Sequence, residues 1–356
     1  MGNTGFGYGY VLTALRAYAY AIALFRYRSI RALLTPYCPL GNTGFGYGYV
    51  LTALRAYAYA IALFRYRSIR ALSAPARARS PPFTTTQGIH MLGAIIGDII
   101  GSRFEWNNHR SKNFDLFTKD CFFTDDSIMS LAICDALLHS KPDYSDLGQN
   151  AIRSMQTIGR PYSNSGYGSS FYHWIYSDAP QPYNSFGNGA AMRVSACGYV
   201  GNSIDEVKRL SKAVTEVSHN HPEGIKGAEA TAIAVFLART GKSLSEIRDA
   251  MTTHYYTLDF TLDGIRDSYQ FNETCQDTVP QALEAFFEST SFEDAMRNAI
   301  SIGGDSDTLA AITGGIAEAY YGIPASIRTQ AIAFLDDTLL AVLQEFEKRF
   351  PAKITN

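Results

Sequence analysis

The first ninety residues of this 356-residue chain contain no lysine, aspartate or glutamate, yet they hold ten arginines; the first acid is Asp98. The 33 acids and the other 21 basic residues all lie in 91–356, a split of +10 against −12 behind a net charge of only −2. Two compositions are joined in one chain. Cysteine is equally sparse: Cys38, Cys121, Cys134, Cys197 and Cys275 form no C-x-x-C pair. That excludes a zinc ribbon or disulfide scaffold and reads as reduced thiols of a cytoplasmic protein. No uncharged apolar run is long enough for a bilayer: Val11–Phe25 spans 15 residues and contains Arg16. Neither a Walker A loop nor a dinucleotide G-x-G-x-x-G is present, so ATPase and Rossmann readings lack their signature. With 46% hydrophobic and 18% charged residues the chain is not disordered, and it is long enough for a large core.

What is present first is a repeat. Residues 2–33 recur without a single change as 41–72, and 1–90 carry 11 of the 23 tyrosines. A repeat that serves a fold drifts and acquires atypical ends, so perfect identity points to a recent duplication in the DNA. The simplest reading is an upstream tandem repeat included by a start placed too early, with Met91 the true initiator. An Arg-rich targeting segment and a genuine appendage, such as an interfacial helix, are the alternatives. The fold is expected in residues 91–356.

From Met91 the apolar spacing is helical. Residues 91–101 (MLGAIIGDIIG) are apolar nearly all round, with Gly93, Gly97 and Gly101 in i+4 steps along one face, which predicts a central helix in close contact with another. Helical periodicity is also expected over 127–139, 224–239, 279–288, 292–302, 308–321 and, in two pieces, 327–350. Ser291 and Asp294 form an S-x-x-D start, and Pro280 fits a first-turn proline. The nearest candidate for a strand is 171–176. Residues 161–189 are rich in Gly, Pro, Ser, Asn and Tyr, a long irregular stretch of the kind that carries function. The expected architecture is a single all-α domain of about 260 residues.

The most specific chemistry lies at two helix starts, Phe123-Thr124-Asp125-Asp126-Ser127 and Gly303-Gly304-Asp305-Ser306-Asp307-Thr308. Capping accounts for one such cluster, because Thr and Asp are favoured there and complement the helix dipole. Two clusters some 180 residues apart ask for more. Four carboxylates with threonine hydroxyls and no interleaved Cys or His form an oxygen-only donor set, suited to Mg²⁺ or Mn²⁺ before Zn²⁺. If the two starts meet, two dications balance four negative charges, and a binuclear site follows.

Gly187-Asn188-Gly189 feeds a helix, and Gly166-Tyr167-Gly168-Ser169 is a similar loop. Such glycines let backbone approach a ligand, and a helix start offers N–H groups to an anion; a plain loop is the competing reading for each. Tyr167, Phe171 and Tyr172 are candidates for stacking on a base or for the core. In Ser218-His219-Asn220-His221 the two histidines do not share a helix face; a hydrogen-bonding His219 fits better than a zinc pair.

Taken in order, GAIIGDIIGSRFE, FTDDS, GNGAAMR, SHNHPEGIKGA and GGDSDTLAAITGGIAEAYYGIP resemble the ADP-ribosylglycohydrolase family. The resemblance covers Met91 to the C-terminus and leaves 1–90 unmatched. It implies an orthogonal helical bundle with a binuclear Mg²⁺ site. By match to the family motifs, Thr124, Asp125 and Asp126 with Asp305, Asp307 and Thr308 would hold the ions. Glu105 matches a glutamate on a mobile flap. Gly166, Gly168, Ser169, Gly187, Asn188 and Gly189 would line the ADP-ribose diphosphate and ribose, and His219 would contact the nucleotide. Ser127 departs from the family's usual threonine but keeps the hydroxyl.

The resemblance implies hydrolysis at C1″ of ADP-ribose, releasing ADP-ribose from a modified protein, small molecule or nucleobase. Asp126 or Asp307 would take a proton from water, and Glu105 would gate the site or assist the acceptor. Two other functions compete: an ADP-ribose binder or immunity-type protein that blocks an ADP-ribosyltransferase by contact, and a different metal-dependent nucleotide hydrolase. The net acidic body argues against stable nucleic-acid binding, and no membrane partner is expected.

Overall fold

The computed structural model describes residues 91–351; the repeat, Cys38 and the approach to Met91 lie outside them. Among the described residues the elements are α1 (Leu92–Gly101), α2 (Asp125–His139), α3 (Leu147–Gly159), α4 (Ser169–Tyr176), α5 (Gly189–Met192), α6 (Ser195–Val200), α7 (Ile204–Thr215), α8 (Pro222–Arg239), α9 (Leu244–His254), α10 (Leu262–Ile265), α11 (Cys275–Phe287), α12 (Phe292–Ile300), α13 (Ser306–Tyr321), α14 (Ala325–Ile332) and α15 (Asp337–Arg349). No strand occurs among them; Gly187 and Thr274 make one isolated antiparallel bridge. The all-α expectation holds.

α1 is buried at every position, and so is α13 from Ser306 to Glu318. The glycine stripe explains how two such helices lie together. A Cβ on Gly97 would sit 1.9 Å from the Ala310 carbonyl oxygen, and one on Gly93 2.3 Å from that of Gly314. The two backbones touch, and they run antiparallel, because Gly101 meets Asp307 at the other end, where a Cβ would lie 2.4 Å from its Cα. Glu318 anchors the opposite end: its Oε2 accepts the N–H groups of Met91 (3.0 Å) and Gly93 (2.7 Å). These are unpaired donors of a helix start, and a carboxylate suits them. α8, α11 and α12 pack around α13, and α2 packs on α1.

Several boundaries differ from the sequence reading. Residues 171–176 are helical, within α4: Phe171, Trp174 and Ile175, at i, i+3 and i+4, are the buried face, whereas Tyr172 and Tyr176 are exposed. The aromatic residues that made this segment the nearest strand candidate lie on opposite sides of a helix. Pro280 is not a first-turn residue but sits inside α11, which starts at Cys275. α8 begins at Pro222, where the His221 ring accepts the Glu223 N–H at 3.1 Å. His221 is therefore a helix cap. The amphipathic helices α3, α7 and α9 were not expected; in α7, for example, Val207, Leu210 and Val214 are buried with charged residues between them. Ser291 does cap α12, accepting from Asp294 N at 3.1 Å.

Candidate metal and ligand site

The two acidic helix starts meet. Thr308 Oγ1 at the head of α13 donates to Asp126 Oδ2 at the head of α2 at 3.2 Å. Both are brought there by α1, whose Asp98 carboxylate accepts from Thr124 N (2.9 Å), Thr124 Oγ1 (2.7 Å), Ser127 N (3.0 Å) and Ser127 Oγ. Thr124 in turn caps α2 through Asp126 N. Capping thus accounts for Thr124, but Asp305, the N-cap of α13, makes no side-chain cap bond. Instead its Oδ2 accepts from Asn188 Nδ2 at 2.7 Å, and the same amide donates to Thr278 Oγ1 at 3.2 Å.

Carboxylate oxygens of Asp98, Asp126 and Asp307 lie within 4.8 Å of one another, and so do those of Glu105, Asp305 and Asp307. Asp307 belongs to both groups. Asp98, Asp126, Asp305 and Asp307 are buried, while Asp125 and Glu105 are partly exposed. Burial alone penalises the charged form, and adjacent acids add repulsion. Burial, then the charges of Asp98, Asp125 and Asp305, holds Asp126 well above the usual carboxylate range. Asp125 and Asp307 are raised likewise, and Asp305 by burial. Asp98 is pushed up to about 6 by burial, against its hydrogen bonds. Glu105 rises to about 7 through burial, then Asp305, Asp98 and Glu273. Among the described residues no lysine or arginine forms an ion pair with this set. Asp126 Oδ1 is sealed from solvent and accepts no hydrogen bond. A carboxyl oxygen left without a partner amid crowded acids and threonine hydroxyls is what a hard divalent cation satisfies.

The second half of the site adjoins through Asn188, whose N–H is held by the Glu273 carbonyl at 2.7 Å. On either side, a Cβ at Gly187 or Gly189 would stand 3.5 Å from His219 Nε2. His219 is 5% exposed, and burial and then Arg193 hold its pKa well below the ordinary histidine value. Gly166, at φ 99°, lies against the acids: a Cβ there would be 2.7 Å from Asp125 Oδ1. Gly168 faces open space, and Ser169 is exposed at the start of α4. Tyr167 donates to the Gly159 carbonyl at 3.0 Å and Phe171 stacks on Trp174, so both are tied to the core, whereas Tyr172 is 41% exposed.

Sequence reasoning named neither Asp98 nor Arg193 as site residues. Asp98 had a signal, a lone acid in an apolar helix. Arg193 stood in the GNGAAMR motif, but nothing in its spacing showed that it is 1% exposed beside His219.

An all-α bundle that gathers hard oxygen donors where two helix starts converge defines the class, and comparison with known proteins agrees. The ADP-ribosylglycohydrolase family model matches residues 90–353; the chain belongs to that family. It is 24% identical over 330 residues to the ADP-ribosylhydrolase ARH3 of Mus musculus, covering 70% of this chain and 88% of that one. It is 26% identical over 265 residues to the ADP-ribosyl-[dinitrogen reductase] glycohydrolase of Rhodospirillum rubrum, covering 65% and 84%. A solved ADP-ribosylglycohydrolase-related protein complex shares the fold at TM-score 0.51 and 20% identity, covering 72% of this chain and 95% of that one.

Proposed function

We propose that the chain hydrolyses the glycosidic bond at C1″ of ADP-ribose, freeing ADP-ribose from a modified protein side chain, small molecule or nucleobase. The observation that carries this reading is the pair of carboxylate groups sharing Asp307, in a chain of this family. Thr124, Asp125 and Asp126 with Asp305, Asp307 and Thr308 would hold two Mg²⁺, or Mn²⁺, with Asp98 fixing Thr124 and Ser127 behind them. Ions held there would offset the carboxylate charge and supply Lewis-acid stabilisation at the ribose.

The chain's own groups then divide the work. Asp126 or Asp307 accepts the proton of the attacking water as C1″ gains its new C–O bond. The bond from C1″ to the acceptor breaks, and its electron pair leaves with the acceptor. Glu105, the partly exposed acid of the set, assists that departure or gates the site. Gly166, Gly168 and Ser169 on one side and Gly187, Asn188 and Gly189 on the other line the diphosphate and ribose, with His219 against the nucleotide. Among the described residues no helix is long and apolar enough to cross a membrane, and the four cysteines are unpaired; we assign the activity to the cytoplasm and to residues 91–356.

The test is release of free ADP-ribose from arginine-, serine- and nucleobase-linked substrates by the full chain and by 91–356, with Mg²⁺, with EDTA, and with Asp305→Ala. Release that needs both the metal and Asp305 supports the reading and names the linkage. Silence from a folded chain that still binds ADP-ribose would overturn it in favour of a binder or inhibitor. Cleavage of a phosphoanhydride instead would point to another nucleotide hydrolase.

A further inference from the structure

Arg193 is almost wholly buried, and no carboxylate forms an ion pair with it among the described residues. Its Nη2 donates to Ser218 Oγ at 2.7 Å, and Ser218 Oγ lies 2.8 Å from His219 Nδ1. A guanidinium has only donors, so the first contact fixes Ser218 as acceptor. The hydroxyl keeps one proton to give, and among the described residues the acceptor within hydrogen-bonding distance of it is Nδ1. Receiving that proton requires Nδ1 to be bare. The reverse arrangement, with Nδ1–H donating to Ser218, would leave a buried hydroxyl proton without a partner, at a cost comparable to a lost hydrogen bond. A doubly protonated ring would stand beside the guanidinium and out of water, which disfavours it twice. A neutral imidazole bare at Nδ1 carries its proton on Nε2. Nε2 is the atom that Gly187 and Gly189 leave uncovered. Tyr183 and Phe171 flank the ring, with centroids 5.6 and 6.3 Å away, and limit its rotation.

We propose that Arg193 and Ser218 are positioning residues that lock His219 in the Nε2–H tautomer, aiming a hydrogen-bond donor between Gly187 and Gly189 at an oxygen acceptor of the bound nucleotide. The ligand side of this statement rests on the function proposed above; the relay itself does not. Phosphate and ribose oxygens both meet the requirement, and a donor group on the ligand does not. The arrangement also separates two roles for buried cations: Arg193 offers no charge to the ligand directly and acts through a hydroxyl.

The test is side-chain ¹⁵N NMR of the full chain labelled at histidine, with ADP-ribose as the binding probe. The wild type should show His219 with Nδ1 unprotonated and Nε2 protonated. Ser218→Ala should mix the tautomers and weaken ADP-ribose binding about tenfold, the scale of one hydrogen bond. Ser218→Thr, which keeps the hydroxyl, should restore both. An Nδ1–H or imidazolium signature in the wild type would overturn the relay, as would an unchanged signature in Ser218→Ala. If the alanine variant fails to fold, the wild-type and threonine spectra still decide. The expected signature in a chain that does not bind ADP-ribose would leave the relay standing and remove the proposed function.

Discussion

On one side of Asn188 four aspartates are buried with no basic side chain paired to them; on the other, Arg193 is buried with no acid paired to it. Folding alone would gain by bringing those opposite charges together, since an uncompensated buried charge is costly. The chain instead keeps them apart with a neutral amide that bonds to Asp305 and two glycines that leave His219 uncovered. The difference between the halves is instructive. The acid half lacks positive charge and has an orphaned oxygen at Asp126, so what completes it is a cation. The histidine half has spent its positive charge on a hydroxyl and offers a neutral donor, so what completes it is an oxygen acceptor.

The sharpest way to break this contrast is to remove charge from the acid half. Asp307→Asn, at the residue both carboxylate groups share, should lower ADP-ribose release by about 10²–10³-fold, the scale for losing one electrostatic stabiliser. Its EDTA-treated form should melt no lower than wild type, because a repelling buried acid has gone. Thermal melts beside a turnover assay check both.

Next in size is the pH response without metal. Asp98, at about 6, and Glu105, at about 7, hold protons in the folded state that the unfolded chain has already released. Stability from this source is fully present below pH ~4 and is lost as pH rises through 6–7; for Asp98 the shift corresponds to about 3 kcal/mol. In EDTA, Tm should therefore fall between pH 5 and 8. Mg²⁺, which favours the ionised form, should raise Tm more at pH 8 than at pH 5. A flat profile in EDTA would mean that the acid half is not strained.

Gly101→Ala reaches the acids through the backbone. Its Cβ would meet Asp307 Cα at 2.4 Å, so we expect a loss of about 1–3 kcal/mol from overpacking together with lower activity. Denaturant titration measures the first. The smallest effect belongs to Gly168→Ala: φ is −55° and a Cβ there meets nothing within 4 Å, so stability should change by less than about 0.5 kcal/mol. A raised KM at unchanged stability would assign Gly168 to the ligand; an unchanged KM would remove it from the site.

Much of this was legible in the sequence, for reasons that differ by residue. The stripe Gly93, Gly97 and Gly101 announced a helix in backbone contact, because no other residue fits there. Thr124 with Asp125 and Asp126, and Asp305 with Asp307 and Thr308, announced an oxygen-only donor set through composition alone. That the two starts touch could not be read, since contact between residues 126 and 308 depends on how α2 and α13 lie on α1. Asp98 was marked only as a lone acid in an apolar helix, which has no spacing to assign it a role, and Arg193 was hidden because burial of a cation leaves no mark in sequence. Helices α3, α7 and α9 are amphipathic, with polar residues between their buried positions, so no continuous apolar run marks them, and the aromatics crowded into α4 are residues that favour strands.

The contact between Gly101 and Asp307 has a mechanical consequence. Asp98 projects from α1, three residues before Gly101, and Asp307 from the first turn of α13, so both acids ride on two backbones pressed together without intervening side chains. A joint of that kind has no rotamers to relax. The spacing of their two Cα anchors is therefore set by main-chain contact when the bundle folds, and neither acid can be moved without prising the helices apart.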